Sequence, residues 1–375
     1  MYTSKTIYLS LGSNQGGRLF YLQQSCDAIA RVVGVIQNIS PIYKSESWGF
    51  NGNEFYNICI SLNTGFNANE VLNKLQIIES ELGREKQNSN DYQNRIIDID
   101  ILYYSSEVIN TKHLTTPHPH IQNRKFVLQP LADIAPKFTD PISGKSISEL
   151  LVATSDNTNV SRIDDKINLP ISIANKYNFV AIEGNIGAGK TSLTTLMSEN
   201  FNAKMVLERF ADNPFLPKFY KDQDRFAFPL EMSFLADRYQ QLSDDLAQFD
   251  IFKSFIVSDY YIFKSLIFSQ VTLAEDEYRL YRKIFDVMYK DITKPNLYIY
   301  LYQNTERLLK NIKKRGRDFE ADIKASYLSK IHKGYENFIR SEKNLNTLII
   351  DVSELDFVNN YEDFLNVINQ IAESK

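Results

Sequence analysis

Residues 178–191, NFVAIEGNIGAGKT, constrain the fold more than any other stretch of the chain. They begin with an apolar run that predicts a short strand, and they continue into the turn pattern G-x-x-x-x-G-K-T, which a helical segment follows. Glycines in such a turn let backbone N–H groups converge on a phosphate, and the N-terminus of the next helix adds partial positive charge. The flanking strand and helix favour this interpretation over a plain glycine-rich surface turn.

The second half of the chain is therefore predicted to bind a nucleoside triphosphate. Lys190 is placed to reach the outer phosphates, and the Thr191 hydroxyl is placed to hold Mg²⁺. The predicted nucleotide-binding loop consists of Gly184, Asn185, Ile186, Gly187, Ala188, Gly189, Lys190 and Thr191.

Length and composition indicate a soluble protein of two globular domains. The chain has 375 residues, of which 43% are apolar and 23% are charged. A net charge of −4 argues against a nucleic-acid partner, because phosphate contacts need a basic surface. The N-terminus lacks a signal-peptide pattern and no apolar run approaches the roughly 18 residues of a membrane span, so a cytoplasmic protein without a membrane partner is expected.

The first half has the pattern of an α+β domain. Alternating apolar residues predict strands at residues 5–12, 34–42 and 54–64. Helical spacing predicts helices at about residues 19–33 and 71–82. This β-α-β-β-α order is typical of a ferredoxin-like α+β sandwich.

Two carboxylates stand close together in RIIDIDIL, residues 95–102. In a strand, Asp98 and Asp100 point to the same face with Cα atoms about 6–7 Å apart. Such oxygen ligands suit Mg²⁺, which completes its shell with water and substrate phosphate. A solvated edge strand would give the same spacing, so the spacing alone leaves both interpretations open.

RIIDIDIL also resembles the signature of the 6-hydroxymethyl-7,8-dihydropterin pyrophosphokinases, and the resemblance extends over about residues 5–155. LGSN at 11–14, QIIESELGR at 76–84, Thr115-x-Pro117-His118 and Asn123-Arg124-x-Phe126 match further motifs. The family transfers a pyrophosphoryl group from ATP to the pterin hydroxymethyl group and releases AMP. The resemblance implies two Mg²⁺ ions at Asp98 and Asp100, catalytic Arg95, ATP contacts from Gln76, Glu79, Arg84, His118 and Arg124, and pterin contacts from Asn57, Phe126, Tyr92 and, more weakly, Phe55.

Two loops depart from that family. The usual W-G-P-R is Tyr92-Gln93-Asn94-Arg95 in this chain, and the usual T-P is Ser45-Glu46. Loops at these places close over ATP in the family, so the departures concern rate and affinity rather than fold.

The second half is predicted to begin after a polar linker, residues 156–176, and to run over residues 177–375. Apolar strands alternate with helices from the nucleotide-binding loop to TLIIDVS at 347–353, which is typical of a parallel, doubly wound α/β sheet. Strands ending near Glu208 and Asp259 would place these acids at the ligand-binding edge of that sheet.

Residues of about 178–372 resemble the deoxyribonucleoside kinases of the deoxycytidine/deoxyguanosine type, which are P-loop kinases and commonly homodimers. The homodimer contact would use the helix at residues 230–242. The resemblance implies that ATP phosphorylates the 5′-hydroxyl of a deoxynucleoside and releases ADP. The implied roles are general base for Glu208, transition-state lid for Arg315 and Arg317, sugar 3′-hydroxyl contacts for Tyr220 and Glu320, base reading for Glu231 and Arg238, and Mg²⁺ binding for Asp259 with Thr191.

This half departs from the deoxyribonucleoside kinases that it resembles at two positions. The E-R-S motif is Asp259-Tyr260-Tyr261, so the arginine is missing, and Lys264 is a hypothetical substitute. Glu231 stands where a glutamine is usual; an ionised glutamate accepts only, which suits guanine, whereas a glutamate protonated by burial could accept adenine. Bacterial fusions of this kind resemble deoxyadenosine kinases, so deoxyadenosine is predicted first and deoxyguanosine second.

The leading hypothesis is a bifunctional enzyme with two ATP-dependent transfers. A nucleoside monophosphate kinase is disfavoured because such an acceptor needs no base at Glu208. A degenerate nucleotide-binding half that regulates the other stays open, supported by the altered loops. A GTPase switch is disfavoured because no N-K-x-D motif follows.

Overall fold

The computed structural model describes residues 2–84, 94–170, 173–209, 213–247, 252–320 and 323–374. It divides into two compact units, as the sequence predicts. The first comprises Met1–Ser172 and Asn359–Ala372, and the second comprises Ile173–Val358 and Glu373–Lys375. In these ranges, no helix combines the length and apolar character needed to cross a bilayer.

The first unit has the predicted β-α-β-β-α order with additional elements. Val35–Ile39 occupies only part of the strand predicted at 34–42, and a separate short strand follows at Tyr43–Ser45. The elements are β1 (Lys5–Ser13), α1 (Arg18–Val32), β2 (Val35–Ile39), β3 (Tyr43–Ser45), β4 (Phe55–Thr64), α2 (Ala68–Glu81), β5 (Asp98–Tyr104), β6 (Ile109–Asn110), β7 (Thr115–Thr116), a 3₁₀ turn (Ile121–Asn123), α3 (Lys125–Ile134), α4 (Ile147–Ala153) and β8 (Val160–Arg162).

The main sheet of the first unit has the order β5-β1-β4-β3-β8, with β2 also paired to β4. Alternate residues of β1 serve opposite faces: Ile7 and Leu9 join the core formed with α1 and α2, whereas Tyr8 packs against the cluster of α3 and α4. The segment predicted as a linker contributes β8, which pairs with β3. That part of the linker is therefore an edge strand of the first unit.

The register across three strands positions the polar residues of this unit. Gly12 of β1 lies opposite Asn57 of β4 on one side and opposite Asp98 of β5 on the other. A Cβ atom on Gly12 would lie 3.1 Å from Asn57 Oδ1, so the glycine keeps the space between these side chains open. The sheet thus brings an amide and a carboxylate to the two sides of one gap.

The second unit is a parallel α/β domain, as predicted. Its five-stranded sheet has the order β10-β11-β9-β12-β13, and every pairing is parallel. The elements are α5 (Ile173–Lys176), β9 (Phe179–Gly184), α6 (Lys190–Phe201), β10 (Lys204–Val206), α7 (Leu216–Lys221), α8 (Gln223–Ala247), β11 (Ile256–Ser258), α9 (Phe263–Thr272), α10 (Glu275–Met288), a 3₁₀ turn (Tyr289–Asp291), β12 (Leu297–Tyr302), α11 (Thr305–Arg315), a 3₁₀ turn (Asp318–Glu320), α12 (Ala325–Ser341) and β13 (Thr347–Asp351).

Three chain segments that leave this sheet at its carboxyl edge carry the predicted chemistry. The nucleotide-binding loop follows β9, Glu208 follows β10 and Asp259 follows β11. Because β11 lies between β10 and β9, the three groups are neighbours. Gly316, with φ of 67°, ends α11 in the left-handed conformation between the two predicted lid arginines.

The second domain is predicted to run over residues 177–375, but most of the last helix, α13 (Tyr361–Glu373), belongs to the first unit. Contacts place Asn359–Ala372 there. Tyr361 is buried and packs edge-on against Tyr2 and Phe66, with ring centroids 4.9 and 5.1 Å apart. Its hydroxyl donates to the carbonyl of Asn63 at 3.0 Å. The first unit is therefore completed by a segment from the far end of the chain.

Replacing Tyr361 with alanine is expected to lower the free energy of unfolding of the first unit by about 3 kcal/mol, because the change removes a buried ring and leaves a cavity. Trp48 is the single tryptophan of the chain and lies in the first unit, so its fluorescence during urea unfolding monitors that unit. Tyr361→Phe, which loses only the bond to Asn63, should cost about 1 kcal/mol. An unchanged urea midpoint in Tyr361→Ala would contradict the packing role.

Candidate active sites

The first candidate site is a cleft of about 570 Å³ in the first unit. The cleft brings together Asn57, Arg95, Asp98, Asp100, Arg124, Phe55 and Phe126 of the predicted residues, and adds Ser10, Gly12, Ser45, Glu46, Trp48 and Phe50.

Arginines surround the paired carboxylates of this cleft. Asp98 accepts ion pairs from Arg84 Nη1 at 2.8 Å and from Arg95 Nη1 at 2.7 Å. Asp100 Oδ2 lies 3.8 Å from Arg124 Nη1. Burial and the neighbouring Asp98 carboxylate raise the pKa of Asp100 to about 7. The repulsion between the two carboxylates is what a bound cation would relieve.

A glutamate and a histidine, which do not line the cleft, lie near the paired carboxylates. Glu79 pairs with Arg84 and accepts the backbone N–H of Ile99 at 2.8 Å, and burial raises the pKa of Glu79 to about 7. Burial and the charge of Arg124 lower the pKa of His118 to about 4, so the imidazole is neutral at physiological pH. His118 Nδ1 accepts the N–H of His120 at 3.2 Å, which leaves Nε2–H as the donor, and Nε2 lies 3.9 Å from Asp100 Oδ2.

Like the other predicted site residues, Gln76 and Tyr92 stay predictions. Gln76 is exposed on α2, and Tyr92 lies outside the described residues. Asn94, which belongs to the altered loop, is described: its Oδ1 accepts Asn14 Nδ2 at 2.7 Å and the backbone N–H of Asn53 at 3.1 Å. Asn94 therefore links the segments of Asn14 and Asn53 through hydrogen bonds.

The second candidate site is a cleft of about 800 Å³ at the carboxyl edge of the parallel sheet. It gathers twelve of the sixteen residues predicted for the second half; Gly184, Asn185, Ala188 and Gly189 of the nucleotide-binding loop do not line it. The lining includes Ile186, Gly187, Lys190, Thr191, Glu208, Tyr220, Glu231, Arg238, Asp259, Arg315, Arg317 and Glu320, together with Lys264, Leu216, Phe219, Leu230, Phe234, Phe268 and Tyr327.

The nucleotide-binding loop has the conformation that its glycines permit. Gly187 and Gly189 have φ of 85° and 90°, and a Cβ atom on Gly189 would lie 2.7 Å from the Phe357 ring. Lys190 Nζ donates to the carbonyls of Gly184 and Asn185 at 2.9 and 3.0 Å, so it lies across the loop where phosphates would bind. Burial and the charge of Lys264 lower the pKa of Lys190 to about 8.

A hydroxyl and a carboxylate stand together beside this loop. Thr191 Oγ1 donates to Asp259 Oδ2 at 2.5 Å, and Asp259 Oδ1 accepts the backbone N–H of Glu208 at 2.8 Å. Mg²⁺ held with nucleotide phosphates needs only one or two carboxylates. No cluster of three or more His, Cys, Asp or Glu in the described ranges forms a closed metal cage. Asp98 and Asp100 in the first cleft and Asp259 in the second are carboxylates of the type that would hold Mg²⁺ together with substrate phosphate.

Glu208 is held by two cations. Arg238 Nη2 lies 2.7 Å from Oε1, and Lys264 Nζ lies 2.5 Å from Oε2. Burial alone would raise the pKa of Glu208, but Lys264 and Arg238 together lower it to about 2. Arg238 was predicted to act with Glu231 in base reading; its other contact is Ser265 Oγ at 2.8 Å, so its hydrogen bonds go to Glu208 and Ser265.

Glu231 and the lid occupy the remaining walls. Glu231 is 2% exposed; its Oε1 accepts Thr272 Oγ1 at 3.0 Å, and its Oε2 has no hydrogen-bond partner. Glu320 accepts Arg315 Nε at 3.0 Å and Arg317 Nη1 at 3.2 Å. The predicted sugar-binding acid and the predicted lid arginines therefore form one ion-pair cluster.

Residues 180–374 match the family described as deoxynucleoside kinase, and residues 8–136 match that described as 7,8-dihydro-6-hydroxymethylpterin-pyrophosphokinase. A deoxyguanosine kinase of Bacillus subtilis (strain 168) is 39% identical over 203 residues, which cover 53% of this chain and 98% of the relative. A 2-amino-4-hydroxy-6-hydroxymethyldihydropteridine pyrophosphokinase of Aquifex aeolicus (strain VF5) is 39% identical over 145 residues, which cover 38% of this chain and 89% of the relative. The chain belongs to both families, as a fusion of the two.

A third relative matches only the kinase half of this chain. It is a deoxyadenosine/deoxycytidine kinase of Bacillus subtilis (strain 168), 30% identical over 207 residues, which cover 52% of this chain and 93% of the relative. The predicted fusion is thus confirmed, and the two clefts lie in the pyrophosphokinase half and in the deoxynucleoside kinase half.

Several residues that line the two clefts or hydrogen-bond to residues near them escaped prediction from sequence. In the pyrophosphokinase half, Asn14 is 2% exposed and its Oδ1 accepts the backbone N–H of Arg95 at 2.6 Å. The LGSN motif thereby orients a catalytic candidate, and its asparagine was the available signal. No sequence pattern marks Trp48 and Phe50 as cleft residues, because an aromatic residue at this spacing is equally consistent with a ligand contact and with a core position. In the kinase half, Thr272 and Tyr327 lie on helices whose packing only the tertiary structure reveals.

Proposed function

We propose that the chain is a bifunctional enzyme that uses ATP at two separate sites. The pyrophosphokinase half would transfer a pyrophosphoryl group to 6-hydroxymethyl-7,8-dihydropterin and release AMP. The kinase half would phosphorylate the 5′-hydroxyl of a purine deoxynucleoside and release ADP. The observation that supports this most strongly is that each unit gathers acidic side chains, which we propose as Mg²⁺ ligands, and cationic groups in one cleft.

In the pyrophosphokinase half, Asp98 and Asp100 would hold two Mg²⁺ ions along the ATP, which would neutralise phosphate charge. Arg84, Arg95 and Arg124 already face these carboxylates and would reach phosphate oxygens. The pterin ring would lie between Phe55 and Phe126, and its polar edge would meet Asn57.

In the kinase half, Glu208 would orient the 5′-hydroxyl and accept its proton as the phosphoryl group arrives. Thr191 and Asp259 would hold Mg²⁺, while Lys190, Arg315 and Arg317 would meet the charge of the transferring group. Tyr220 and Glu320 would bind the sugar 3′-hydroxyl. A homodimer through α8 is part of the proposal, and sedimentation velocity tests it.

Deoxyadenosine is proposed as the main acceptor. Burial raises the pKa of Glu231 to about 7, so a substantial fraction of this carboxyl is neutral near physiological pH and has an O–H for the ring nitrogen of adenine. Deoxyguanosine is the alternative, since the ionised carboxylate suits guanine and one similar protein is a deoxyguanosine kinase.

Product analysis tests the proposal. The full chain is incubated with ATP and Mg²⁺ plus either the hydroxymethyl-dihydropterin or each deoxynucleoside, and AMP and ADP are separated by chromatography. The expected results are AMP with the pterin and ADP with purine deoxynucleosides, deoxyadenosine above deoxyguanosine. An absence of AMP would leave the first half as a nucleotide-binding regulatory module, and an absence of ADP would do the same for the second.

Replacing Lys264 with methionine is expected to lower kcat for ADP formation about 10- to 100-fold, because Glu208 loses one of its two cations. The pKa of Glu208 should rise, and activity that needs the ionised carboxylate should then be lost at a higher pH as the solution is acidified. Lys264→Arg, which restores the charge, should retain most of kcat. Identical pH–rate profiles for wild type and Lys264→Met would contradict this role.

A further inference from the structure

Asn311 contacts the nucleotide-binding loop but does not line the kinase cleft. It lies on α11, and its Nδ2 donates to the Gly187 carbonyl at 2.9 Å. The same Nδ2 donates to Gln303 Oε1, also at 2.9 Å. A side-chain amide has two N–H donors, so these two contacts use both of them.

Hydrogen-bond chemistry fixes the orientation of both side-chain amides. A backbone carbonyl can only accept, so Asn311 must turn its NH₂ group, and not its oxygen, toward Gly187. Gln303 accordingly presents Oε1 to Asn311, and its Nε2 donates to the Val352 carbonyl at 3.4 Å. Gln303 is 3% exposed and follows β12, and Val352 follows β13. Asn311 and Gln303 therefore link the loop to two segments at the carboxyl edge of the sheet.

The contact from Asn311 determines the direction of the peptide between Gly187 and Ala188. This peptide is trans, so its C=O and N–H bonds point in opposite directions. With the carbonyl turned toward α11, the Ala188 N–H points into the loop, where it donates to the Asn185 carbonyl at 3.2 Å. Lys190 Nζ donates to the same oxygen at 3.0 Å. The amide and the ammonium thus converge on one point, as two donors to a shared phosphate oxygen would.

Packing of the loop on α11 does not set this direction by itself. A Cβ atom on Gly187 would lie 3.0 Å from Ile312 Cγ1 and from the Leu308 carbonyl oxygen, so the loop rests directly on the helix. Glycine, however, restricts its own backbone less than any other residue does. The hydrogen bond from Asn311 is therefore what holds this glycine peptide in one orientation before a ligand binds.

We propose that Asn311 is a positioning residue for nucleotide binding, since its amide holds the Gly187 carbonyl toward α11 and thereby turns the Ala188 N–H toward the phosphates. The inference rests on the proposed nucleotide-binding function of this loop. Without the Asn311 amide, the peptide is free to rotate and to present its carbonyl oxygen, which repels a phosphate oxygen because both atoms are acceptors. Nucleotide affinity should then fall about 10-fold, the effect of about one hydrogen bond.

Isotope labelling of this peptide tests the inference directly. Gly187-Ala188 is the sole Gly-Ala sequence in the chain, so full-length protein made with carbonyl-¹³C glycine and ¹⁵N alanine gives a single ¹³C–¹⁵N-coupled NMR signal. In Asn311→Leu, which has a similar shape and no donor, the ¹³C resonance should move to lower frequency, because the carbonyl loses a hydrogen bond. Titration with ADP and Mg²⁺ measures nucleotide binding at this loop, and the Kd should rise about 10-fold.

Steady-state kinetics provide a second readout. In Asn311→Leu the KM for ATP in ADP formation should rise about 10-fold, whereas kcat should stay within about 3-fold of wild type, because the loop would hold the phosphates equally before and during transfer. The KM for ATP in AMP formation should be unchanged. Asn311→Ser, which loses the same amide without adding an apolar side chain, should behave alike and reveals any folding defect that is specific to leucine.

Asn344→Leu is the matched control, because this asparagine is exposed in the same unit, and its NMR signal, Kd and KM should equal those of wild type. An unchanged Kd for ADP in both Asn311 variants would overturn the inference, whether or not the ¹³C resonance moves. A wild-type signal that does not respond to ADP would overturn it as well. If the signal responds to ADP but no deoxynucleoside is phosphorylated, the proposed kinase activity is wrong and the inference stands.

Discussion

Replacing Lys190 with alanine is expected to lower ADP formation from deoxyadenosine by about 1,000-fold and to leave AMP formation from the pterin unchanged. The ammonium of Lys190 lies within 3.0 Å of the carbonyls of Gly184 and Asn185, at the concave side of the nucleotide-binding loop. Among the described residues, the neighbouring cations of this cleft are already engaged, because Lys264 is paired with Glu208 and the lid arginines are paired with Glu320. Initial rates of ADP and AMP release measure both effects in one preparation.

The matched control for this variant is Lys343→Ala, which removes an exposed lysine from the same unit. Neither activity should change in that variant. If Lys190→Ala reduced AMP formation as strongly as ADP formation, while circular dichroism and Trp48 fluorescence stayed unchanged, the two sites would not be independent.

Features formed by neighbouring residues in this chain can be predicted from sequence, whereas contacts between distant segments cannot. The nucleotide-binding loop is contiguous, and its glycines specify backbone conformation directly, so residues 184–191 were predictable one by one. Asp98 and Asp100 were predictable for a similar reason, since alternation along one strand places both on one face. Gly316 likewise marked the end of a charged helix.

The sequence does not reveal which side chains from separate elements pair with one another. Arg238 and Glu231 stand seven residues apart on α8 and share a helix face, yet Arg238 pairs with Glu208, which follows β10. The difference arises because the ionised Glu208 is the stronger partner for a buried guanidinium, and nothing in the spacing of α8 reveals it. The position of α13 was unpredictable for the same reason: its apolar face specifies burial but not the partner, and the partner includes Tyr2 and Phe66.

A substitution in the pyrophosphokinase half is expected to have the reverse effect of Lys190→Ala on the two activities. Asp98→Asn is expected to lower AMP formation by about 1,000-fold and to leave ADP formation unchanged, because an amide binds Mg²⁺ far more weakly than a carboxylate does. The change preserves the shape of the side chain, yet it also removes the charge that Arg84 and Arg95 neutralise at 2.8 and 2.7 Å. Rates measured over a range of Mg²⁺ concentrations should show that the variant needs more metal for half-maximal AMP release.

Asp165→Asn is the matched control, since this aspartate is exposed in the first unit and faces no described arginine pair. Its AMP formation and Mg²⁺ requirement should equal those of wild type. A metal requirement in Asp98→Asn equal to that of wild type would show that the carboxylate orients Arg84 and Arg95 rather than binding metal. In that case Arg95→Lys should reproduce the loss, because a lysine cannot form the same fixed contact with Asp98 Oδ2. The two asparagine variants and the lysine variant therefore separate a metal-binding carboxylate from one that only positions its arginines.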